Sequence, residues 1–392
     1  MNEDTSVKPD PIAKDADHRT GIVRGDENLT YPHGDDVPEG KKVIELAKGI
    51  YWARLPLPFS LDHINIYLFD EGDGWTVVDT GVNGSKSTEV WELLEQGIMG
   101  GKPIKHVVAT HMHPDHLGLA GWLTRRHDAE FSITQGEFML GQHLWNGAAD
   151  VMPDEEIAFM LKAGVSRSFE PQMKAAGFGF YKKGVHELPY SYTRLEDGSI
   201  IEIGGRKWQV IVGRGHSPEH ACLMCLDEPL FIAGDQILPQ ITSNVSVYAR
   251  EPLANPLAHW LTSLDRMRGL EGKPMVFPSH GKVFYGLHER LDSLIDSHLT
   301  KLVRLHDWCK EAQKPVETFP ALFRREITGF DFFMALGEAL AHLHLLESIG
   351  LLERSFDGRH DRFRAVGDAA ATDIIAACEA LPGIPMRPLD SL

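Results

Sequence analysis

Apolar and polar positions alternate in short runs over Val43 to Leu55, Ile64 to Phe69 and Trp75 to Val78. That period of two predicts strands, each putting alternate side chains on opposite faces. Pro56, Pro58 and the Asp70-Glu71-Gly72-Asp73-Gly74 turn separate them. A helical period then covers Ser85 to Ile98, and an apolar strand follows from Ile104 to Thr110. A second block of strands is predicted at Ser199 to Ile203, Lys207 to Val212, Ala221 to Leu226 and Pro229 to Ala233. A helix near Pro256 to Gly269 and a strand Met275 to Pro278 complete it. Strands interleaved with helices in two related halves place the chain in the α/β (α+β) class.

Three segments fall outside this frame. Residues 1–40 are polar and proline-bearing without an apolar period, which predicts a mobile arm. Residues 136–183 carry many large apolar side chains at helical spacing, among them Phe138, Met139, Trp145, Phe159 and Tyr181. They read as a helical insertion with an apolar face of its own, placed to act as a lid or substrate wall. Past His280 a long helix is expected from Leu287 to Ala312, ending near Pro315. Helix (Phe319 to Arg325), helix (Phe332 to Ser348) and a hairpin turning at Asp357-Gly358 then suggest a winged-helix-like unit. The predicted organisation is thus an arm over 1–40, a catalytic domain over 41–285, and a C-terminal domain over 286–392.

The chain of 392 residues has a formal net charge of -17, which repels phosphate backbones and disfavours nucleic acid as a partner. The C-terminal unit does not reverse this. Residues 315–366 hold six Arg and no Lys against eight Asp plus Glu. No run approaches the roughly 18 apolar residues of a membrane span, and the first 40 residues contain no apolar signal core. With four cysteines and no dense framework of them, a cytoplasmic, unexported protein is expected.

Chemistry concentrates after the strand Val107-Val108-Ala109, in Thr110-His111-Met112-His113-Pro114-Asp115-His116. On an extended segment His111 and His113 point the same way, while Pro114 starts a helix from which Asp115 and His116 project toward an adjacent point. Two neighbouring metals can be held in this way. His216, Asp235 and His280 each follow a predicted strand, as does Asp79 in Asp79-Thr80-Gly81, so all of them fall on one rim of a rigid scaffold. His220, four residues past His216, reads instead as a hydrogen-bonded core histidine. Cys222 and Cys225 are three apart on a strand, face opposite sides, and read as small core residues rather than a redox or zinc pair. His127, His143, His186, His342 and His344 are expected on the surface or on helix faces. Lys162, Arg167, Lys174, Lys182 and Lys183 are expected on a solvated helix face, with contact to an anionic substrate tail as the alternative.

In order and in kind, these five motifs resemble the metallo-β-lactamase superfamily over roughly residues 43 to 285. The resemblance implies an αββα sandwich with a dinuclear metal site at the sheet edges. It makes His111, His113 and His216 ligands of one metal, Asp115, His116 and His280 ligands of the second, and Asp235 the bridge. Asp79 would support the site from behind the ligands. Two divalent ions, zinc with iron or manganese as alternatives, would supply a hydroxide nucleophile near neutral pH, with Asp115 or Asp235 orienting the water. The segment around Ala341-His342-Leu343 and the hairpin is similar to the winged-helix domain of the β-lactamase-like subgroup that includes thioesterases and an endoribonuclease.

The intact His113 departs from the flavodiiron branch, and the 45 positions between Asp235 and His280 leave no room for the nested domain of the superfamily's large nucleases. Leu117-Gly118-Leu119 stands where glyoxalase II carries a glycine pair, which counts against glutathione specificity. The leading expectation is a hydrolase of a thioester or ester with a bulky acyl group, a small molecule carried on coenzyme A. A lactonase, an endoribonuclease, a mononuclear iron persulfide dioxygenase and a non-catalytic metal scaffold are the alternatives. Helices after Leu287 would suit a homodimer.

Overall fold

In the computed structural model, residues 28–58, 61–329 and 331–381 are described. Seven strands form one mixed sheet in sequence order: β1 (Ile44–Ala47), β2 (Ile50–Pro56), β3 (His63–Asp70), β4 (Trp75–Val78), β5 (Ile104–Val108), β6 (Glu130–Thr134) and β7 (Thr193–Leu195). The first four pair antiparallel, and β4 to β7 pair parallel. The second sheet, in the order β12-β11-β10-β9-β8, contains β8 (Ile200–Ile203), β9 (Arg206–Gly213), β10 (His220–Cys225), β11 (Leu230–Gly234) and β12 (Met275–Pro278).

The two sheets pack face to face, and the alternation in each strand assigns its side chains. Along β3, Ile64, Ile66 and Leu68 enter a core shared with the helices outside the first sheet, whereas Tyr67 and Phe69 enter the core between the sheets. There they meet Trp208, Val210 and Val212 of β9 and Phe277 of β12. Phe69 lies edge-on to Trp208 and Tyr67 stacks on Phe277, at centroid distances of 5.6 and 5.0 Å. Trp91 and Leu94 of the helix Ser85–Gln96 cover the outside of the first sheet. Trp260 and Leu264 of the helix Pro256–Arg268 cover the outside of the second. The result is the expected αββα sandwich. Cys222 faces the outer core and Cys225 the inner one, both as free thiols, as their spacing on one strand requires.

The C-terminal unit follows the expected order: the helix Leu287–Trp308, a short helix Phe319–Leu322, the helix Asp331–Ser348, and the hairpin of β13 (Leu352–Phe356) and β14 (Asp361–Ala365). The helix Asp331–Ser348 is buried almost all round, so His342 and His344 lie in the interior rather than on the surface. Nearly continuous apolar sequence around them is what buries such a helix.

The insertion is helical as expected, but its helix Asp154–Lys162 is tied down by the C-terminal unit. Val316 donates its N–H to Ala163 O at 3.2 Å, and Lys162 pairs with Asp361 at 3.6 Å. Ile157 and Met160 belong to the same apolar core as Leu336 and Leu340. Residues 1–27 of the expected arm lie outside the described residues, whereas Thr30 exchanges two backbone hydrogen bonds with Tyr285 and Leu29 is buried. Among the described residues no helix is long and apolar enough to cross a membrane.

Candidate metal centre

All the ligand candidates sit just beyond strand ends on one rim of the sandwich. β5 releases the chain through Ala109 and Thr110 into His111, and Pro114 opens the short helix Pro114–Leu117, with His113 extended just ahead of it. β9, β11 and β12 end immediately before the segments that carry His216, Asp235 and His280. The rim is stitched together by bonds between the sheets: Ala221 N–H to Thr110 O at 2.8 Å and Asn65 N–H to Ser279 O at 2.7 Å. Asn65 Nδ2 and the Tyr67 hydroxyl, both on β3, also donate to Pro278 O, each at 2.7 Å, and so fix the approach to His280.

The seven side chains converge in two groups. In the first, His111 Nε2 lies 2.8 Å from His113 Nδ1 and 3.2 Å from His216 Nε2, and His216 Nε2 lies 3.4 Å from Asp235 Oδ2. In the second, Asp115 Oδ2 lies 3.6 Å from His116 Nε2 and 3.3 Å from His280 Nε2. Asp235 reaches both groups, with Oδ2 3.5 Å from His116 Nε2 and Oδ1 3.4 Å from His280 Nε2.

Hydrogen bonds behind the rings determine what points inward. His216 Nδ1 donates to Asn244 O at 2.8 Å, and His280 Nδ1 donates to His63 O at 2.8 Å. His116 Nδ1 is bonded to Asp79 Oδ2 at 2.8 Å, and His111 Nδ1 sits 3.0 Å from Thr110 Oγ1, whose own proton goes to Asp79. Each of these four rings therefore carries a proton on the outer nitrogen and turns Nε2 into the centre. Lone pairs brought this close repel one another unless a cation lies between them. Tetrahedral zinc would hold such nitrogens about 3.3 Å apart. Two inward atoms, His116 Nε2 and Asp235 Oδ1, are buried without any hydrogen-bond partner. The donor set therefore fits divalent metal in both groups.

The charges agree. Burial resists ionisation of Asp115, but His116 and His280 hold its carboxyl down at about 2. Asp235 is likewise held well below the usual carboxylate range, against burial, by His280 and His116. Burial together with the neighbouring His216 pushes His113 down to about 3, so its ring stays neutral as a ligand must be.

Asp79 ends β4 with φ of 63°, a left-handed conformation rare outside glycine. That turn aims its carboxylate at Thr110 N–H (2.8 Å) as well as at His116. His220 stays out of both groups: its Nε2 accepts the N–H of Asp235 at 3.0 Å, and its ring stacks on His111 at 4.7 Å. Three of the insertion's basic residues are already engaged: Lys162 with Asp361, Lys174 with Glu170, and Lys182 over the Trp145 ring.

The sequence reading missed Glu137. Its carboxylate is fully buried and accepts three donors from the two loops that hold the first group: Met112 N–H at 3.0 Å, Ser217 Oγ at 2.6 Å and Glu219 N–H at 2.7 Å. Burial raises its pKa, while those three bonds act to lower it. The only signal in the sequence is an acid directly ahead of Phe138-Met139-Leu140, where the helical face is otherwise apolar.

A two-sheet sandwich with histidines and aspartates gathered at its strand ends defines a class of metal-dependent hydrolases. Residues 60–280 match the Metallo-beta-lactamase superfamily, and residues 302–366 match the Metallo-beta-lactamase-like, C-terminal domain. The chain belongs to the metallo-β-lactamase superfamily. It is 25% identical to "Probable metallo-hydrolase YqjP" of Bacillus subtilis, over 80% of this chain and 97% of that one. It is 24% identical to "Acyl-coenzyme A thioesterase MBLAC2" of Homo sapiens, over 65% of this chain and 86% of that one. A "Linear primary-alkylsulfatase" of Pseudomonas sp. is 25% identical over 64% of this chain, which spans only 48% of that longer protein. Among solved structures, a beta-lactamase domain protein from Burkholderia ambifaria superposes with a TM-score of 0.81 at 35% identity, over 88% of this chain and the whole of that one.

Proposed function

We propose that the protein is a dinuclear metal-dependent thioesterase acting on acyl thioesters, with coenzyme A as the carrier, in the cytoplasm. The observation that carries this reading is the pair of ligand groups joined by Asp235, with four of the rings turned inward by outer hydrogen bonds. In it, His111, His113, His216 and Asp235 hold one ion, and Asp115, His116 and His280 hold the other. Zinc is the first choice for this mixture of imidazole and carboxylate. When bound, the two ions lower the pKa of water and polarise the carbonyl oxygen. The chain's own part is to orient and to handle protons. Asp115 and Asp235 accept hydrogen bonds from the attacking water, and Asp79 fixes the tautomer and tilt of His116. The buried rim, with Asp235 7% and His216 7% exposed, keeps bulk water from competing. Thioester specificity is supported by the human relative's named activity, and a bulky acyl group by the aromatic insertion beside the rim.

The test is thiol release from a graded panel of acyl-CoA and acyl-glutathione thioesters by metal-reconstituted protein, with Asp235→Asn as the control. Turnover that vanishes in the variant is expected. Silence across the panel would overturn the thioester assignment, and the same protein would then be assayed on lactones, alkyl sulfates and RNA.

A further inference from the structure

The C-terminal domain reaches the metal centre through one loop. Asn244, whose backbone carbonyl holds His216 Nδ1, donates its side-chain N–H to Met334 O at 3.4 Å. Ser246, bonded to the Asn244 side chain, also reaches Met334 O at 3.4 Å. One turn further along the helix Asp331–Ser348, Gly337 O accepts the Val247 N–H at 3.1 Å. The approach is close enough to require glycine, because a Cβ at 337 would lie 2.6 Å from Ser246 Oγ.

This docking sets the direction of two apolar side chains. Phe333 and Met334 precede Gly337 by four and three residues and so share its helix face. Side chains on a helix lean toward its N-terminus, which here carries the pair past the Asn244 end of the loop. Yet both remain open to solvent, Phe333 46% and Met334 42% exposed. Phe333 is backed by Phe332 at 5.9 Å between ring centroids, and Phe332 in turn packs against Phe319 at 5.4 Å. A stiff aromatic base thus presents an uncovered apolar surface on the turn whose backbone bonds Asn244, the residue that holds His216.

We infer that Phe333 and Met334 form the acyl-binding wall of the active site, so that the C-terminal domain selects substrates by the length of their apolar chain. The inference rests on the thioesterase reading for its substrate and on the loop geometry for its location. Its occupant is the substrate's own hydrocarbon chain, because the backbone of Met334 is bonded to the loop that holds His216.

The experiment compares kcat and KM for butyryl-, octanoyl- and lauroyl-CoA in the wild type, in Phe333→Ser/Met334→Ser, and in Leu253→Ser. Leu253 is 78% exposed and near the other end of the same helix, where Ala254 O bonds His344 Nδ1. The double variant should keep full metal content and butyryl kinetics while losing about tenfold in kcat/KM for octanoyl and lauroyl chains, mainly through KM. Leu253→Ser should match the wild type. An unchanged chain-length profile, or an equal loss for all three chains, would overturn the inference and leave the thioesterase reading standing. If no thioester is turned over, decanoate binding to the metal-loaded protein decides by calorimetry. Binding weakened at least several-fold in the double variant upholds the wall without the thioesterase. Equal binding in both proteins, or none, overturns it. A change of oligomeric state in the double variant, with the chain-length profile intact, would assign the patch to a second copy of the chain instead.

Discussion

Replacing Glu137 by Gln removes one charge and changes no shape, yet the structure gives it a large and localised effect. The carboxylate faces three donors and no acceptor. An amide with its oxygen in the Oε1 position keeps the bonds from Ser217 and Glu219 as neutral ones, and sets its NH2 against the Met112 N–H. Losing one charge-assisted bond costs about 1.5–3 kcal/mol, and weakening the other two brings the total to roughly 3 kcal/mol. Such a loss should lower the melting temperature by about 5 °C or more. It should also fall unevenly. Met112 lies between His111 and His113, and Ser217 follows His216, so the first ligand group loosens while Asp115, His116 and His280 are spared. Calorimetric melts of the metal-free variant read the stability, and stepwise competition with a chromogenic chelator reads the two metal affinities. One affinity should drop by about tenfold or more, for each 1.4 kcal/mol of ligand strain, and the other should hold. A variant that melts like the wild type with both affinities intact, or one that weakens only the second site, would refute this account of Glu137.

Two other expectations concern histidines. His113→Ala should reduce bound metal from two ions to one and abolish activity, whereas His220→Ala, which removes a support of Asp235 N–H, should leave both ions bound; equal metal loss by elemental analysis would refute the ligand assignment. In the C-terminal domain, His298 Nδ1 faces His342 Nε2 at 3.2 Å and His342 Nδ1 bonds Glu338 O at 2.8 Å. Burial, with Lys301 nearby, pushes His342 down from 6.5 to about 4. The unfolded chain therefore binds the proton first as pH falls, and the metal-free protein should lose about 3 kcal/mol of stability between pH 6.5 and pH 4. Urea midpoints should fall across that window in the wild type and fall less in His342→Gln; parallel curves would rule the pair out as the cause.

The candidate metal-binding groups were legible because their chemistry is local. His111, His216, Asp235 and His280 stand one to three residues past a strand, and His113, Asp115 and His116 follow His111 closely; a strand end can aim such side chains at a fixed point. His111, His113, Asp115 and His116 could be read from spacing alone. Glu137 could not, because its role depends on loops that come together only when the sheets close. The strand β6 went unread although Glu130-Phe131-Ser132-Ile133-Thr134 alternates polar and apolar side chains; parallel pairing with β5 fixes so short a run as a strand. His342 and His344 were misplaced because a polar residue on a helix reads as surface until a second helix is seen to cover it. Tyr67 and Asn65 are similar, since only the neighbouring sheet gives their polar atoms partners.

The bond from Val316 to Ala163, with the Lys162 to Asp361 pair, makes a frame of two segments that are far apart in the chain. Its consequence lies in inheritance. The C-terminal segment looks separable by length and sequence, yet it cannot be exchanged with that of a relative unless the insertion's helix Asp154–Lys162 is exchanged with it. Drift in either half of this contact must be answered in the other.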